Sequence, residues 1–390
     1  MKAEIFLLVN VQWIDSHTLV LKLCEQLQGQ SRLAVDTEFV RTNTYFSQPG
    51  LIQVATGSTI YLIDPTGLSR ADIAPLGDRL FAADVQLLMH SAGEDLDVFR
   101  GLWNRLPVNL FDTQIAASFV GFDRQSGLQR LLKNALDIDL AKEETRSDWL
   151  KRPLSESQLH YAAEDVRYLH KLADVLEDKL ITLDRMDWFQ QESRALITRY
   201  ENRPADDQLY LGFGAGWKLK PQQQAALRYL AGWRERTARE INTPKTFIAK
   251  DANLYGLVEN RPKSKGQLAE IGLQSSQIRK YGDQLIEQVE IGYQQPIPDP
   301  LIPRPLSKSQ QRFYKELRKV VSDQAEKLQI PADLLSSKAN LVDYLLSRGT
   351  SAASPYAGGW REQAVQPCLD AYCESSDHEA NQHEDSAAHD

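Results

Sequence analysis

The sequence predicts an α/β domain, in which helices flank a mixed sheet, followed by two small all-α domains. Three observations indicate this fold class. Up to about residue 200, short runs rich in Val, Ile, Tyr and Thr alternate with segments of helical periodicity. Beyond Asn202 the helical periodicity continues without a credible strand. A chain of 390 residues also exceeds what one ordinary core holds, so more than one domain is expected.

The predicted α/β domain covers residues 1–205. Its first strands should form a meander, because three β-type runs follow one another closely and Gly50, Gly57 and Ser58 punctuate them. An amphipathic helix precedes these runs, which are LAVDTEFV, GLIQVAT and TIYLID. The alternation continues through a helix up to about Phe81, the strand VQLLMHS, a helix containing DLDVFRGLW and the segment NLFDTQIAASFV. From about residue 125 to 200 the pattern is mostly helical.

Four further segments follow this domain. Residues 208–293 are predicted to form the first small helical domain. Residues 294–305 carry five prolines from position 296 onward, which predicts a stiff, extended linker rather than part of a core. Residues 306–374 are predicted to form the second helical domain. Residues 375–390 are acidic and lack the apolar content to fold, so they are predicted to be a disordered tail.

Composition excludes several classes of protein. No apolar run approaches the roughly 18 residues that a membrane span needs, because Asn10 and Gln12 interrupt the stretch after IFLLV. Three cysteines, at positions 24, 368 and 373, are too few for a disulfide framework and lack the histidines of a zinc site. The chain has no glycine-rich phosphate loop, so neither ATP nor NAD is expected. A cytoplasmic monomer is therefore predicted.

Charge is distributed unevenly along the chain, whose net charge is −8. Residues 1–207 carry 22 basic and 31 acidic side chains, whereas residues 208–293 carry 13 basic and 8 acidic ones. A basic middle next to an acidic head suits one module that contacts phosphates and another that holds cations. The alternative is a chance excess of five positive charges.

Two carboxylates stand on the predicted strand LAVDTEFV. Asp36 and Glu38 share one face of this strand, because side chains at i and i+2 point the same way. Two adjacent carboxylates on an otherwise apolar strand cost several kcal/mol to desolvate unless a cation neutralises them. The pair therefore predicts a metal site.

Asp95 follows the strand VQLLMHS near the start of the next helix, where α/β folds often present functional groups. Glu94 and Asp97 compete with it for any such role, and acids at a helix N-terminus are also common for dipole reasons. Asp95 alone therefore leaves the function open.

The segment HYAAEDVRYL places Tyr161 and Asp165 one helical turn apart on a common face. In the alternative interpretation the tyrosine packs in the core and Asp165 pairs with Arg167. His160 is a second candidate for a general base, although five positions from Asp165 it points well round the helix axis.

Carboxylates that gather from distant segments repel one another unless divalent cations lie between them. Asp36, Glu38, Asp95 and Asp165 therefore predict a site for two divalent metal ions, Mg²⁺ or Mn²⁺, of the kind that hydrolyses phosphodiesters.

These segments carry a resemblance. VDTEF, HSAGED and the Tyr-x-x-x-Asp of YAAEDVRYL resemble the three exonuclease motifs of the DEDD superfamily in its tyrosine branch. RSDWLKRPLSESQLHYAAEDVRYL is similar to the ribonuclease D family in particular. The helical segments that follow resemble HRDC domains, most clearly over NTPKTFIAKDANLYGLVENRPKSKGQLAEI.

The resemblance implies an RNase H-like fold for the first domain, two HRDC domains after it, and 3′-5′ exoribonuclease activity. It implies that Asp36, Glu38 and Asp165 bind one metal ion, and that Asp36 shares a second ion which Asp95 supports. Tyr161 would orient the attacking water. The expected substrate is the 3′ end of structured RNA such as a tRNA precursor, and the expected product is a nucleoside 5′-monophosphate.

Several residues are candidate substrate contacts. Lys142, Trp149 and Arg152 precede the third motif and are candidates to contact phosphates or a terminal base. Thr37 and Phe39 are candidates to stack on the last nucleotide or to place its 3′ hydroxyl, whereas Gln53 and Asp112 are interpreted as structural. A phosphate-binding face is also a candidate in the first helical domain, where Tyr229, Trp233 and Phe247 are interleaved with the basic residues Arg228, Arg234, Arg236, Arg239, Lys245 and Lys250. The alternative is a solvated helix face whose aromatic rings pack in the core.

Two other functions compete with the exoribonuclease. One is a DNA-directed exonuclease of the same superfamily, since no residue visibly recognises a 2′ hydroxyl. The other is a non-catalytic nucleic-acid-binding scaffold that uses the helical domains. A scaffold would tolerate loss of the carboxylates, but all four are present.

Overall fold

The computed structural model describes residues 10–140, 147–348 and 350–387, with side chains described up to residue 376. The described residues divide into two compact units. The first contains the chain up to residue 38, residues 49–198 and the chain from residue 306 onward. The second contains residues 39–48 and 199–305.

A six-stranded mixed sheet forms the centre of the first unit. Its spatial order is β1-β4-β3-β2-β5-β6, with strands β1 (Asn10–Ile14), β2 (Arg32–Val40), β3 (Gln48–Ala55), β4 (Thr59–Ile63), β5 (Gln86–Met89) and β6 (Leu110–Asp112). Strands β2, β5 and β6 run parallel, β3 and β4 are antiparallel, and β1 pairs parallel to β4. The predicted mixed sheet is therefore confirmed, and the three meander strands are neighbours as expected. The edge strand β1 was not predicted, because five residues with one fully buried side chain give little periodic signal.

Helices surround this sheet in the first unit. They begin with α1 (His17–Gln26), α2 (Arg70–Leu80), α3 (Gly93–Trp103), α4 (Thr113–Phe119), α5 (Leu128–Leu136), α6 (Glu156–Arg167), α7 (Leu169–Thr182) and α8 (Met186–Glu201). Helix α6 starts at a capping box, in which Ser155 and Gln158 satisfy each other's backbone N–H groups. This cap fixes the start of the helix that carries Tyr161 and Asp165.

The second unit is all-α, as predicted. Its long helices α9 (Pro221–Glu240) and α13 (Ser275–Tyr293) pack around Leu227, Leu230 and Leu285, which are fully buried. Shorter helices complete it, namely α10 (Lys245–Ile248), α11 (Asp251–Asn260) and α12 (Lys265–Glu270).

The proline-rich segment belongs to this second unit rather than acting only as a spacer. It contains no helix or strand, as its five prolines predict. However, Ile302 is only 4% exposed and lies in the core of the unit, where its backbone N–H donates to Gln224. The prediction that this segment lies outside any core was wrong, because Ile302, which stands between Pro300 and Pro303, packs into the core of the unit.

The second helical segment consists of α14 (Lys308–Leu328), α15 (Ala332–Leu335), α16 (Lys338–Ser347), α17 (Trp360–Ala364) and α18 (Gln366–Ala387). It was predicted to be a separate domain, but it groups with the sheet-containing unit. The indole of Trp360 stacks on that of Trp188 at 4.9 Å, and Arg361 donates to Glu192 over 2.5 Å. Periodicity reports one buried face of a helix but not which distant surface covers that face.

The predicted disordered tail also differs from the structure, because α18 continues to Ala387. This helix is anchored at its start, where Leu369 and Cys373 are buried. Extending an anchored helix costs much less than nucleating one, so a segment with little apolar content can remain helical. No helix among the described residues is long and apolar enough to cross a membrane. No disulfide joins Cys24, Cys368 or Cys373.

Candidate active site

Three of the four predicted carboxylates converge at one point. Each of Asp36, Glu38 and Asp165 offers an oxygen atom, and these atoms all lie within 4.8 Å of one another. Strand β2 presents the first two from one face, and helix α6 brings the third from about 130 residues further along the chain. Carboxylate oxygens are the ligands that hard divalent cations prefer, so the chemistry of this donor set fits such an ion.

The electrostatics of the cluster favour a cation. Burial and the nearby Asp95, Asp165 and Glu38 raise the pKa of Asp36 well above its ordinary value. Burial, followed by the charges of Asp165 and Asp95, raises the pKa of Glu38 to about 8. Crowded carboxylates without a positive partner hold protons in this way, and a divalent cation would displace those protons.

Asp95 lies beside this cluster and is held by Thr37. It is 6% exposed at the first turn of α3, and it accepts a short hydrogen bond from the Thr37 hydroxyl. Burial raises the pKa of Asp95 to about 7, while the bond from Thr37 acts in the opposite direction. Thr37 was predicted to contact substrate, but it is itself 6% exposed. The structure shows that the Thr37 hydroxyl orients Asp95, and its contact with substrate stays a prediction.

Asp112 joins the two segments that frame Asp95. Its carboxylate is 2% exposed and accepts four backbone N–H groups. Two of these belong to Ser91 and Ala92, before α3, at 3.2 and 2.9 Å, and two belong to Gln114 and Ile115, at the start of α4, at 2.8 and 3.2 Å. The interpretation of Asp112 as structural agrees with this burial. The helix start that follows Asp112 in the sequence predicts a cap, but not the link to Ser91 and Ala92.

A cavity of about 420 Å³ opens beside the carboxylates. Asp36, Asp165, Tyr161 and His160 all line it, so helix geometry alone does not remove the histidine from the site. Tyr161 is partly buried, with its ring 6.2 Å from the ring of Trp149, whereas His160 is exposed. The other lining residues were not predicted and include His90, Ser91, Gln114 and Gln129.

Two predicted substrate contacts are engaged elsewhere. Arg152 donates from Nε and Nη2 to the two carboxylate oxygens of Asp64, each over 2.6 Å, and also to the carbonyl of Gly50. Trp149 is 5% exposed, and its carbonyl lies 2.5 Å from where a Cβ on Gly50 would stand. These contacts fasten the segment before α6 to strand β3 and to Asp64, the residue after β4. Trp149 thereby lies beside Tyr161, and the substrate contacts of Arg152 and Trp149 stay predictions.

The remaining predicted contacts have different outcomes. Phe39 lies at the end of β2 and is partly exposed, so its side chain is accessible. Lys142 lies outside the residues that the structure describes.

The predicted phosphate-binding face in the second unit is largely neutralised. Arg234 pairs with Asp251, Arg236 and Arg239 with Asp206, and Lys245 with Glu235. Arg228 donates to the carbonyl of Pro296. Of the six predicted cations, Arg228 and Lys250 have no ion pair among the described residues, whereas acids that are distant in sequence lie next to the other four.

Comparison with known proteins agrees with this geometry. Residues 11–181 match the family described as 3′-5′ exonuclease, and residues 223–289 match the HRDC domain. The chain is 35% identical to ribonuclease D of Pseudomonas paraeruginosa, over 92% of this chain and 96% of that protein. It is 33% identical to ribonuclease D of Escherichia coli, over 93% and 98% of the two chains.

Solved structures give the same result. The crystal structure of Escherichia coli RNase D, described as an exoribonuclease involved in structured RNA processing, superposes with a TM-score of 0.84. It is 31% identical over 94% of this chain and 99% of the other. A protein from Bifidobacterium adolescentis, 21% identical over 92% and 95% of the two chains, shares the fold with a TM-score of 0.66. The convergent carboxylates, the exonuclease match and the near full-length relatives together show that the chain belongs to the ribonuclease D family of 3′-5′ exoribonucleases.

Proposed function

We propose that this exoribonuclease shortens structured RNA from its 3′ end, with tRNA precursors among its substrates, and releases nucleoside 5′-monophosphates. The convergence of Asp36, Glu38 and Asp165 within 4.8 Å is the observation that carries the proposal. The role in structured RNA processing attached to the Escherichia coli relative supports the choice of substrate.

Two divalent ions, Mg²⁺ or Mn²⁺, are the proposed cofactors. Asp36, Glu38 and Asp165 would hold one ion, and Asp36 together with Asp95 would hold the other. Such ions lower the pKa of an attacking water and stabilise the charge that develops on the departing 3′ oxygen.

The protein's own residues position Asp95 and the attacking water. Thr37 and the four backbone bonds of Asp112 hold Asp95 and its helix in place. Tyr161 lines the same cavity as Asp36 and Asp165, and we assign its hydroxyl to orienting the water for in-line attack. An ordinary phenol has a pKa near 10, so Tyr161 donates or accepts a hydrogen bond here rather than removing the proton.

We also propose that residues 306–374 form a second HRDC-like module. Three successive helices of this segment repeat the lengths of three helices in the second unit. The helices α14, α15 and α16 have 21, 4 and 10 residues, and the helices α9, α10 and α11 have 20, 4 and 10. Each four-residue helix follows a proline, Pro244 in one case and Pro331 in the other. Each helix of the later segment also begins the same number of residues after its counterpart in the second unit.

Matched RNA and DNA oligonucleotides test the proposed substrate. We expect the wild-type protein to shorten a 5′-labelled RNA one nucleotide at a time in Mn²⁺ or Mg²⁺, and a chelator to stop the reaction. The DNA of the same sequence should be shortened at least about tenfold more slowly, since loss of a contacted hydroxyl typically costs more than 1 kcal/mol. Faster shortening of DNA would replace this proposal with the DNA-directed alternative.

Tyr161 and His160 are distinguished by conservative substitution. We expect Tyr161→Phe to lower kcat by about tenfold to a hundredfold, because a lost positioning hydrogen bond leaves the water poorly aligned. His160→Gln should change kcat less than threefold, because the ring is exposed and five positions from Asp165. Single-turnover rates on the same RNA measure both effects. A larger loss in His160→Gln would make the histidine the residue that activates water.

A further inference from the structure

Arg152, Asp64 and Gly50 form a clamp that holds the segment before α6 against the sheet. Arg152 donates to both carboxylate oxygens of Asp64, each over 2.6 Å, and to the Gly50 carbonyl over 2.5 Å. Burial raises the pKa of Asp64, but the hydrogen bonds from Arg152 and Thr66 outweigh it and lower the pKa below its ordinary value. The clamp therefore contains an ionised pair joined by two parallel, charge-assisted hydrogen bonds.

Gly50 allows this segment to approach the backbone of β3 closely. A Cβ at position 50 would stand 2.5 Å from the carbonyl oxygen of Trp149 and 2.7 Å from its Cβ. Glycine is the residue that permits such an approach of one backbone to another. A side chain at position 50 would therefore push Trp149 away from the sheet.

Trp149 links the clamp to the cavity beside the carboxylates. The tryptophan is 5% exposed, and the centre of its ring lies 6.2 Å from that of Tyr161, within the range of interacting aromatic pairs. Tyr161 lies on α6 and lines the cavity together with Asp36 and Asp165. A shift of Trp149 would therefore reach the wall of the cavity through one side chain.

We propose that Arg152, Asp64 and Gly50 are positioning residues, which set the place of the Tyr161 hydroxyl through Trp149. They act on the rate of hydrolysis and not on the affinity for RNA, because a displacement of about 1 Å at a reacting group costs roughly a hundredfold in rate. An Arg152 that contacted a phosphate would act on affinity instead. The proposal rests on the proposed function for the role of Tyr161.

Gly50→Ala tests the clamp by inserting one carbon atom between β3 and Trp149. We expect the single-turnover rate on a 5′-labelled RNA to fall by about tenfold to a hundredfold, because the phenol is displaced. The affinity for RNA, measured by fluorescence anisotropy in the Asp36→Asn protein, should stay within about twofold. Gly57→Ala is the matched control, since Gly57 lies between β3 and β4 and a Cβ there meets nothing within 4 Å. The control should leave both quantities unchanged.

Arg152→Lys tests the clamp without adding volume. A lysine keeps the positive charge but cannot donate from a planar fork to both oxygens of Asp64, so we expect a rate at least about fivefold lower with unchanged affinity. Arg105→Lys is its control, because Arg105 forms an exposed pair with Asp78 at 2.5 Å. Weaker binding of RNA by Arg152→Lys at an unchanged saturating rate would overturn the proposal in favour of a phosphate contact.

A double-mutant cycle with Tyr161→Phe separates positioning from a general loss of structure. Residues that act through one group are not additive, so Gly50→Ala should lower the rate of Tyr161→Phe by less than about threefold. Effects that multiply would overturn the proposal, and thermal unfolding checks that each variant is folded. A wild-type rate in Tyr161→Phe would refute the proposed role of Tyr161 as well. A reduced rate there, with wild-type rates in Gly50→Ala and Arg152→Lys, would overturn the clamp alone.

Discussion

Asp36→Asn is expected to lower the rate of RNA hydrolysis at least about a thousandfold, because the several kcal/mol that a metal site contributes to the transition state would be lost. Asp36 is the carboxylate that faces Glu38, Asp95 and Asp165 together, and the charges of all three raise its pKa. An amide keeps the size of the side chain but carries no charge. Single-turnover cleavage of a 5′-labelled RNA in Mn²⁺ measures the loss.

Asp139→Asn is the matched control for this substitution. Asp139 also belongs to a pair of acids two positions apart, but it is exposed, and among the described residues its ion pair is with Lys133, at 2.8 Å. Its substitution should leave the rate within twofold. A product ladder from Asp36→Asn similar to that of wild type would place the catalytic centre elsewhere.

The metal-free protein is expected to lose stability as the pH rises from about 6.5 to 8. Glu38 and Asp95 have folded pKa values of about 8 and about 7, above the ordinary 4.5 and 3.8. The folded state therefore binds more protons than the unfolded state in this window, so the free energy of unfolding falls as the pH rises. Each pKa unit corresponds to about 1.4 kcal/mol, which makes a total of a few kcal/mol.

The pH window begins at about 6.5 because titration of His90 has the opposite effect on stability below that pH. Burial lowers the pKa of His90 below its ordinary 6.5, which makes the folded state more stable as the pH rises, but only up to that value. Thermal unfolding in a chelator, with and without saturating Mn²⁺, measures the effect. We expect Mn²⁺ to restore the melting temperature at pH 8 in wild type but only weakly in Asp36→Asn, whose metal-free form should be the more stable. A melting temperature that rises with pH in chelator would contradict the crowding of these acids.

The sequence allowed the order of the elements and the convergence of Asp36, Glu38 and Asp165 to be predicted. Both depend on local patterns, namely alternation on a strand and one turn of a helix. Asp95 was harder, because three acids stand close together at the start of α3, and only Asp95 is both buried and bonded to Thr37.

The contacts that Thr37, Trp149 and Arg152 make within the fold could not be predicted in this way. Each was predicted to contact substrate because of its residue type and its nearness to a motif. Each contacts a residue that is distant in sequence, as Arg152 contacts Asp64, and no local pattern reveals that residue. The sequence could not predict that residues 306 onward group with the first unit for the same reason, since the stacking of Trp360 on Trp188 joins positions far apart in the chain.

The repeated order of three helices has a consequence for how one protein meets two conflicting demands. A surface that packs permanently against a neighbouring part of the protein must be apolar, whereas a surface that binds and releases a charged strand must stay exposed to solvent. One module cannot satisfy both demands with the same residues. Two copies of one helical plan remove the conflict, because the later helical segment packs Trp360 on Trp188 of the sheet-containing unit while Phe247 in the earlier copy is 49% exposed.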